Sequence, residues 1–489
     1  MMKIKLKQLI HDMDVEIKGK KELEISGVCN HSRQVAPGDL FIALKGDKVD
    51  GSLFIEEALR AGAVAVMTDL YNPFLTQTTQ IICKNPARYQ SEIAKRFYKD
   101  PSQELFLVAI TGTNGKTTTS YLVRHLLEAQ GPCGLIGTIE TIIKQNTYPS
   151  QLTTPDILFL NKSMSEMGKK GCTSCVMEVS SHGLCQKRIE GLELDVAVFT
   201  NLTQDHLDYH GTMENYASAK ALLFTQLSSM HKKKHKKAVI NVDDPYASWM
   251  LQASKVPTIT YGITHPEADL KAADIVLKQN GCQFDVSYQG KTCKIFIPLI
   301  GMFNIYNSLA AIATALHAKM SLEQIAERLR SFSCVRGRLE RVDNPKNLNV
   351  YVDFAHTDAA LENVLKAVRS VTEGKVIVVA GCGGDRDKNK RSLMGQVAQR
   401  FADIAIFTSD NPRSEEPQAI IEQMLQGVLS KKNIIVEIQR QKAIEQALDL
   451  AGVKDSVIIA GKGHETTQIF KDKTFYFSDV AIVQDYFSK

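Results

Sequence analysis

The chain has 489 residues, and 59 lysines and arginines against 54 aspartates and glutamates give a formal net charge of +5. Hydrophobic residues make up 44% and charged residues 23%, a globular composition that excludes disordered, collagenous and coiled-coil proteins. A charge this close to balance gives no support for nucleic acid as the main partner. All apolar stretches fall short of the roughly 18 residues that a membrane span needs, so no membrane insertion is expected.

The first 100 residues alternate short strand-like stretches, Leu40–Leu44 and Val64–Thr68, with one helical stretch, Phe54–Ala61. Pro101 and Ser102 then suggest a linker. At roughly 150 residues per domain, the chain is long enough for about three domains. We predict that the first is a small α/β domain over residues 1–102.

From residue 105 onward, short apolar runs alternate with amphipathic stretches, which predicts parallel sheets with crossover helices. The predicted strands are Leu105–Thr111, Cys175–Ser181, Val196–Leu202, Ala238–Val242, Val350–Phe354, Val376–Ala380, Ile404–Thr408 and Val457–Ala460. The predicted helices are Thr117–Gln130, Ser321–Leu329, Arg391–Phe401, Pro417–Leu429 and Gln441–Leu450. A boundary near Ser333–Arg338 divides this part into domains over 103–335 and 336–489.

Ten cysteines are scattered along the chain, and the Cys172 and Cys175 pair has no second Cys-x-x-Cys to complete a zinc site. We expect reduced thiols in apolar cores rather than metal or redox chemistry. The start of the chain, Met1–Asp14, does not resemble a signal peptide, so a cytoplasmic location is expected. The basic run His231–Lys237 is interpreted as a solvated loop rather than a nucleic-acid patch.

The strongest functional signal is a glycine-rich turn between a predicted strand and a predicted helix. Glycines let backbone N–H groups approach phosphate oxygens, a lysine adds positive charge, and a threonine hydroxyl can bind Mg²⁺. Two residues separate the glycines, where four are usual, yet a nucleotide site is favoured over an ordinary turn. The residues of this turn are Gly112, Thr113, Asn114, Gly115, Lys116, Thr117 and Thr118.

ATP is the expected nucleotide. The chain has no Asn-Lys-x-Asp string with which a GTPase would recognise guanine. The glycine-rich stretch Gly381–Arg386 lacks the third glycine of a dinucleotide fingerprint.

The shortened turn Gly112–Thr118 resembles the phosphate loop of the Mur ligases, a family of ATP-dependent enzymes that form amide bonds. The resemblance extends along nearly the whole chain, and its last three blocks are most similar to the family members that add diaminopimelate. The further blocks are Met177–Leu184, Thr200–Gly211, Asp353–His356, Gly381–Asp387, Asp410–Arg413 and Gly461–Glu465.

The resemblance implies a three-domain α/β fold. A small N-terminal α/β domain would bind the uridine nucleotide, and a central P-loop ATPase-like domain with a parallel or mixed sheet would bind ATP. A C-terminal Rossmann-like domain would present the amino acid. It also implies that ATP converts a carboxylate of UDP-N-acetylmuramoyl-L-alanyl-D-glutamate into an acyl phosphate, which meso-2,6-diaminopimelate attacks, as a step of peptidoglycan precursor synthesis. The implied partners are these small-molecule substrates, and a monomer is expected.

The resemblance assigns Mg²⁺ to Thr117, Glu178, His206 and Lys220, the lysine as a carbamate formed with CO₂. Taken alone, Glu178 and His206 are ordinary polar residues at strand ends, and Lys220 is a surface residue of a helix. Carbamate formation needs a neutral amine, which burial or a neighbouring charge would favour. Lys116, Lys220 and His206 are the implied catalytic residues.

The resemblance also assigns residues to the binding of each substrate. For the base and ribose of ATP they are Asn304, Arg338 and Asp353. For the muramoyl dipeptide substrate they are Ser32, Thr153, Thr154, Ser180, Gln186 and Arg188. For diaminopimelate they are Arg386, Asp410, Asn411, Pro412, Arg413, Gly461 and Glu465. The chain departs from the family pattern at His31, Leu152 and Asp358.

Two alternatives remain open. The first is the same reaction with L-lysine as the amine donor, against which Arg413 is expected to discriminate by binding the extra carboxylate of diaminopimelate. The second is a P-loop regulatory or binding protein that hydrolyses ATP without ligation.

Overall fold

The computed structural model describes residues 3–46 and 49–488. The chain divides into two compact units, one of Met1–Tyr261 with Ala313–Ala318 and the other of Gly262–Ile312 with Lys319–Lys489. Both units are α/β, as the alternation of strands and helices predicts. Within the described ranges, no helix is both long enough and apolar enough to cross a membrane.

The N-terminal part of the first unit is built on a five-stranded sheet. Its elements are β1 (Ile4–Lys5), α1 (Leu6–Leu9), β2 (Glu16–Lys18), β3 (Glu24–Ile25), β4 (Gly27–Cys29), β5 (Asp39–Ile42), α2 (Ile55–Arg60), β6 (Ala65–Thr68), β7 (Thr79–Ile82) and α3 (Pro86–Tyr98). The order is β2-β7-β6-β5-β4, with β4 to β7 parallel and β2 antiparallel to β7. β1 and β3 form a separate antiparallel pair.

The rest of the first unit contains a mixed sheet with parallel central strands. Its strands are β8 (Phe106–Thr111), β9 (Cys133–Ile136), β10 (Glu140–Ile143), β11 (Asn146–Pro149), β12 (Ser174–Glu178), β13 (Val196–Phe199), β14 (Lys237–Asn241) and β15 (Thr258–Gly262). Its helices are α4 (Lys116–Leu127), α5 (Ile157–Lys169), α6 (Ser181–Cys185), α7 (Leu207–His210), α8 (Met213–Ser229) and α9 (Ala247–Ala253). The order is β11-β10-β9-β12-β8-β13-β14-β15, and the strands from β9 to β15 in that order are parallel.

The second unit combines an antiparallel meander with a six-stranded sheet. Its strands are β16 (Leu270–Lys278), β17 (Gly281–Tyr288), β18 (Lys291–Ile297), β19 (Glu340–Arg341), β20 (Asn349–Asp353), β21 (Val376–Ala380), β22 (Ile404–Phe407), β23 (Ile434–Val436), β24 (Ser456–Ala460), β25 (Thr467–Ile469) and β26 (Thr474–Tyr476). The helices of this part of the chain are α10 (Met302–His317), α11 (Leu322–Arg330), α12 (Asp358–Arg369), α13 (Asn389–Phe401), α14 (Pro417–Leu425), α15 (Arg440–Leu450) and α16 (Asp479–Ser488).

The six-stranded sheet has the order β19-β20-β24-β21-β22-β23, with β19 antiparallel and the others parallel. Helices cover both of its faces. Successive side chains along its strands belong alternately to two separate apolar cores, one on each face. Such burial explains the nearly continuous apolar runs of these strands. In both units, the loops at the carboxyl ends of parallel strands carry the residues expected to bind ligands.

The predicted strands and helices are confirmed to within a few residues at their ends. The meander β16 to β18 was not predicted from the sequence. Its first turn, Gln279-Asn280, leads into Gly281, and in its second turn, Gln289-Gly290, both residues adopt positive φ, as in a tight hairpin. The alternation of Cys282, Phe284 and Val286 with polar residues along β17 was a second signal in the sequence.

The basic run is a loop that is tied to the first unit by ion pairs. Lys233 pairs with Asp195, and Lys236 Nζ lies 3.7 Å from Glu193 Oε2 with both side chains almost fully buried. The interpretation as a solvated loop is therefore wrong for these two lysines, whose ammonium groups are paired within the fold rather than facing water.

A prediction concerns the ion pair between Arg440 and Asp479, whose side chains are both 0% exposed. Asp479→Ala would leave a buried guanidinium without its counter-charge, at a cost of about 3–5 kcal/mol in the free energy of unfolding. Chemical denaturation monitored by circular dichroism measures the loss. The control Glu362→Ala breaks the partly exposed pair with Lys366 and should cost less than about 1 kcal/mol. Equal losses in the two variants would contradict the prediction.

Candidate functional site

The glycine-rich turn joins the carboxyl end of β8 to the start of α4, as the sequence predicts. Gly112 has φ +153°, and a Cβ atom there would lie 1.9 Å from Thr200 Oγ1. Gly115 caps α4 with φ +84°. The turn therefore requires glycine at both positions, one for space and one for conformation.

The strand end after β13 holds this turn in place. Thr113 N donates to Asn201 O at 2.8 Å, and Asn114 N donates to Asn201 Oδ1 at 2.9 Å. Lys116 curls back over the turn, with Nζ 2.8 Å from Gly112 O and 2.9 Å from Thr113 O. The ammonium group is thus held against the carbonyl oxygens of the turn at which phosphate is expected to bind.

Glu178, at the end of β12, is the centre of the site in the first unit. Its side chain is fully buried, and Oε2 accepts from Thr117 Oγ1 at 2.9 Å. Thr138 donates twice, from N to Oε1 at 2.9 Å and from Oγ1 to Oε2 at 2.8 Å. A Cβ on Gly137 would lie 2.4 Å from Oε1, so the backbone approaches the carboxylate as closely as glycine allows.

The paired hydroxyl and carboxylate of Thr117 and Glu178 fit a magnesium ion, because Mg²⁺ prefers a few oxygen ligands from the protein together with phosphate oxygens. Within residues 3–46 and 49–488, no group of three or more His, Cys, Asp or Glu side chains is arranged to hold a metal. His206 lies at the start of α7 with φ +54° and a side chain 46% exposed, and its ring centre is 6.1 Å from that of Tyr216.

Lys220 is buried, with 1% of the residue exposed. Tyr216, Lys220, Leu223, Phe224 and Leu227 follow helical spacing along one face of α8, which faces the core. The local sequence alone predicts that Lys220 lies on the surface of the helix, and this prediction is wrong. Burial, helped by the positive charge of Lys116, holds the pKa of Lys220 well below its usual value.

An aromatic cluster surrounds this amine. Lys220 Nζ lies 4.4 Å from the centre of the Tyr216 ring, and the Tyr216 hydroxyl is 3.2 Å from Thr113 Oγ1 in the phosphate turn. The rings of His210 and Tyr216 stack at 4.9 Å, and the His182 and His206 rings meet edge to face at 4.9 Å. Tyr216 therefore connects Lys220 to the phosphate turn, and the rings of His206 and His210 lie against Tyr216.

The residues expected to bind the dipeptide substrate gather beside Glu178. Thr138 Oγ1 is 3.1 Å from Thr153 Oγ1, and Thr154 Oγ1 is 3.1 Å from Glu178 O. The further bonds are Ser180 N to Thr154 Oγ1 at 2.9 Å, Arg188 Nη1 to Thr154 O at 2.7 Å and Arg188 Nη2 to Gln186 Oε1 at 2.6 Å. Ser32 lies apart in the N-terminal sheet region, bonded to Glu57.

The residues expected near the base and ribose of ATP lie in the second unit. Asp353 ends β20 and accepts from Leu339 N at 2.6 Å and Ala355 N at 2.7 Å. Burial raises the pKa of the Asp353 carboxyl, and Arg338 acts in the opposite direction. Asn304 is buried in the first turn of α10, where its amide donates to Ile300 O at 2.9 Å.

The residues expected to bind the amine donor surround the carboxyl ends of β22 and β24. Asn411 Nδ2 donates to Glu465 Oε2 at 2.8 Å, and the fully buried Lys462 donates to Asn411 Oδ1 at 3.0 Å and to the same Glu465 oxygen at 3.1 Å. Arg413, with φ +52°, donates to Gly384 O at 2.7 Å.

Neighbouring positions complete this group. Asp410 is buried, and a Cβ on Gly461 would lie 2.5 Å from its Oδ2. The carbonyl of Pro412 packs against Gly384. Arg386 is exposed.

Sequence reasoning did not single out Thr138, Tyr216, His182, His210 or Lys462. Four of these stood inside or beside quoted motifs, but their roles come from contacts between distant segments. Thr138 follows a glycine in an otherwise unremarkable turn, and no local pattern pointed to it. The spacing of the apolar positions in α8 could have shown that Lys220 faces the core.

Comparison with known proteins covers nearly the whole chain. The Mur ligase family catalytic-domain model matches residues 24–98, the Mur ligase middle-domain model 110–315 and the Mur ligase glutamate-ligase-domain model 337–463. The chain is similar to the UDP-N-acetylmuramoyl-L-alanyl-D-glutamate–2,6-diaminopimelate ligases of Geobacillus thermodenitrificans, at 45% identity over 93% of each chain, and of Chlamydia caviae, at 43% over 99% of each. A solved structure of a ligase of the same name aligns with TM-score 0.70 and 33% identity over 100% of this chain and 99% of that one.

A pH-dependent stability is expected from Lys220. Between its lowered folded pKa and the unfolded value of 10.5, the unfolded state binds one more proton, so stability rises with pH by up to about 1.4 kcal/mol per unit. Lys220→Met lacks this dependence. The stability advantage of this variant over the wild type should be largest near neutral pH and shrink as the pH approaches 10.5.

Urea unfolding at a series of pH values, in magnesium-free buffer depleted of CO₂, measures this difference. The control variant Lys234→Met changes an exposed lysine and should show a difference from the wild type that hardly varies with pH. A constant difference for Lys220→Met as well would show that Lys220 is charged in the folded protein.

Proposed function

This chain belongs to the Mur ligase family, and from that premise we propose that it joins meso-2,6-diaminopimelate to UDP-N-acetylmuramoyl-L-alanyl-D-glutamate at the expense of ATP. One observation carries the proposal for the site. The buried Glu178 carboxylate binds Thr117 of the phosphate turn on one side and, through Thr138, the Thr153 hydroxyl on the other. The site expected for ATP phosphates and the site expected for the acceptor carboxylate therefore meet at one residue.

The reaction begins when the carboxylate of the acceptor attacks the γ-phosphate of ATP, forming an acyl phosphate and ADP. The amine then attacks the acyl carbon, the amide bond forms and phosphate leaves. Both steps bring negative groups together, so their barriers depend on positive charge and on fixed geometry. Lys116 supplies a charge beside the turn, and the N-terminus of α4 supplies N–H donors to the phosphates.

Magnesium would be held by Thr117 and Glu178, with His206 and a carbamate on Lys220 as the further proposed ligands. When bound, Mg²⁺ neutralises charge on the phosphates. The protein's own contribution is to keep Glu178 oriented by three hydrogen bonds. The lowered pKa of Lys220 supplies the neutral amine that reaction with CO₂ requires.

We propose a division into domains at 1–102, 103–335 and 336–489, which the three stretches matched to the family support. A cytoplasmic location and a monomeric state belong to the same proposal. Sedimentation equilibrium of the purified chain tests the monomer, and a stable dimer would contradict it.

The first prediction for activity is that Lys116→Ala abolishes ligation. Removing a fixed charge beside a developing anion typically costs a factor of about 10²–10³ in kcat. ADP release with both substrates present measures the rate, and Lys234→Ala serves as an exposed-lysine control. If ADP is released by the unmodified protein without acceptor and amine, ATP hydrolysis without ligation is the better description.

The second prediction is that Lys220 carries a carbamate in the active enzyme. ¹³C NMR of protein in ¹³C-bicarbonate and Mg²⁺ should show a carbamate carbon that is missing from Lys220→Ala. That variant should remain folded, because the side chain ends against Tyr216 rather than in an ion pair, but it should lose ligation. A fully active enzyme in CO₂-free buffer without a carbamate signal would contradict the assignment.

The third prediction concerns the amine donor. Diaminopimelate differs from lysine by one carboxylate, and leaving Arg413 desolvated without it should cost roughly 2–5 kcal/mol. This corresponds to a selectivity on the order of 30- to 4,000-fold for diaminopimelate. Arg413→Ala should lose most of the diaminopimelate activity without gaining efficient use of lysine. Equal use of both amino acids by the unmodified protein would favour the lysine alternative.

A further inference from the structure

The two arginines expected to bind the amine donor are carried by separate loops. Arg386 follows β21 in the loop Gly381–Arg386, and Arg413 follows β22 in the loop Thr408–Glu415. A bidentate grip on the carboxylates of one small molecule requires a fixed distance between these loops. Part of this distance is set by Arg413 Nη1, which donates to Gly384 O at 2.7 Å, and by Gly384 N, which donates to Asn411 O at 2.9 Å. Further groups behind the two loops tie them together.

Arg391, in the first turn of α13, is fully buried and binds Glu415 with two parallel hydrogen bonds of 2.8 and 2.9 Å. Its Nη2 also donates to Gly383 O at 3.2 Å, and its Nη1 donates to Gln423 Oε1 at 2.8 Å. The bonds from Arg391 lower the pKa of Glu415 to about 2, so the pair is charged near neutral pH.

The carboxylate of Glu415 completes the link. Glu415 Oε1 accepts from Asp385 N at 2.7 Å, and the Asp385 carboxylate in turn accepts from Ser414 N at 3.3 Å and Ser414 Oγ at 2.5 Å. Asp385 and Arg413 both have positive φ, at +54° and +52°. L-residues persist in this conformation where surrounding contacts determine it, and here each loop supplies those contacts for the other.

We propose that Arg391 and Glu415 are positioning residues for the amine donor, because their ion pair, in which Arg391 is fully buried, braces the loops that carry Arg386 and Arg413. This inference rests on the proposed function. It adds a requirement outside the residues that touch substrate: recognition of the donor carboxylates depends on a salt bridge behind the binding loops.

The test is a steady-state comparison of Glu415→Gln with the wild type. The variant keeps the size of the side chain but removes the charge opposite Arg391. The KM for diaminopimelate should rise roughly 10- to 100-fold, since small displacements of binding groups have effects of that order. The KM values for ATP and for the UDP-dipeptide should stay within about 2-fold, because their proposed sites lie elsewhere.

Asp403→Asn is the matched control. Asp403 also pairs with an arginine, Arg369, and also accepts a backbone N–H across two segments, from Val376 at 2.7 Å. It lies at the opposite, amino-terminal edge of β21 and β22. This variant should leave all three KM values unchanged. Equal shifts in Asp403→Asn and Glu415→Gln would reduce the effect to general destabilisation and overturn the proposal.

Ser414→Ala keeps the test decisive if Glu415→Gln does not fold. Ser414 is exposed, so its loss should leave the fold intact while removing one tie to Asp385. A rise of about 3-fold or more in the KM for diaminopimelate alone is expected. Unchanged KM values in this variant, or in a folded Glu415→Gln, would overturn the positioning role. A wild-type enzyme that does not use diaminopimelate would instead overturn the proposed function.

Discussion

The chemistry proposed for the first unit depends on one buried carboxylate. A carboxylate removed from water costs several kcal/mol unless hydrogen bonds compensate it, and Glu178 receives three, from Thr117 and Thr138. These bonds fix Glu178 at the end of β12, beside the phosphate turn at the end of β8. Because β12 and β8 are parallel neighbours, their carboxyl ends open on the same edge of the sheet. The register of two strands thereby brings a hydroxyl, a carboxylate and a glycine-rich turn together.

In the second unit the buried charges that need hydrogen-bond partners are cations rather than a carboxylate. Lys462 is a fully buried cation at the end of β24, and it is satisfied by Asn411 and Glu465 from neighbouring loops. Arg391 is likewise buried, and its two Nη atoms bond to Glu415. Such an ion pair is weak as a source of stability but strict in geometry, since loss of the carboxylate would leave a buried cation unpaired. These pairs fix loops that would otherwise be free to vary in position.

Lys220 is the exception, because within the described parts of the chain no side-chain oxygen forms a hydrogen bond or ion pair with its amine. It ends over an aromatic ring instead, with Lys116 close enough to disfavour its charge. A structural lysine would be expected to find an acidic partner, as Lys236 finds Glu193. The environment that lowers the pKa of Lys220 therefore supports the carbamate proposed at this residue.

The sequence alone determined the alternation of strands and helices, the phosphate turn and the family blocks, because these depend on local spacing, on glycine conformation and on apolar runs. It left out the meander β16 to β18, although the Asn280-Gly281 dipeptide is a hairpin signal that could have been recognised. The tertiary structure decided what the motifs do to one another. Thr138 meets Glu178 across 40 residues, Glu415 meets Arg391 across 24, and Lys462 meets Asn411 across 51. Such contacts follow from strand order and register, which no local pattern encodes. The residues that orient the site can therefore be identified only from the tertiary structure.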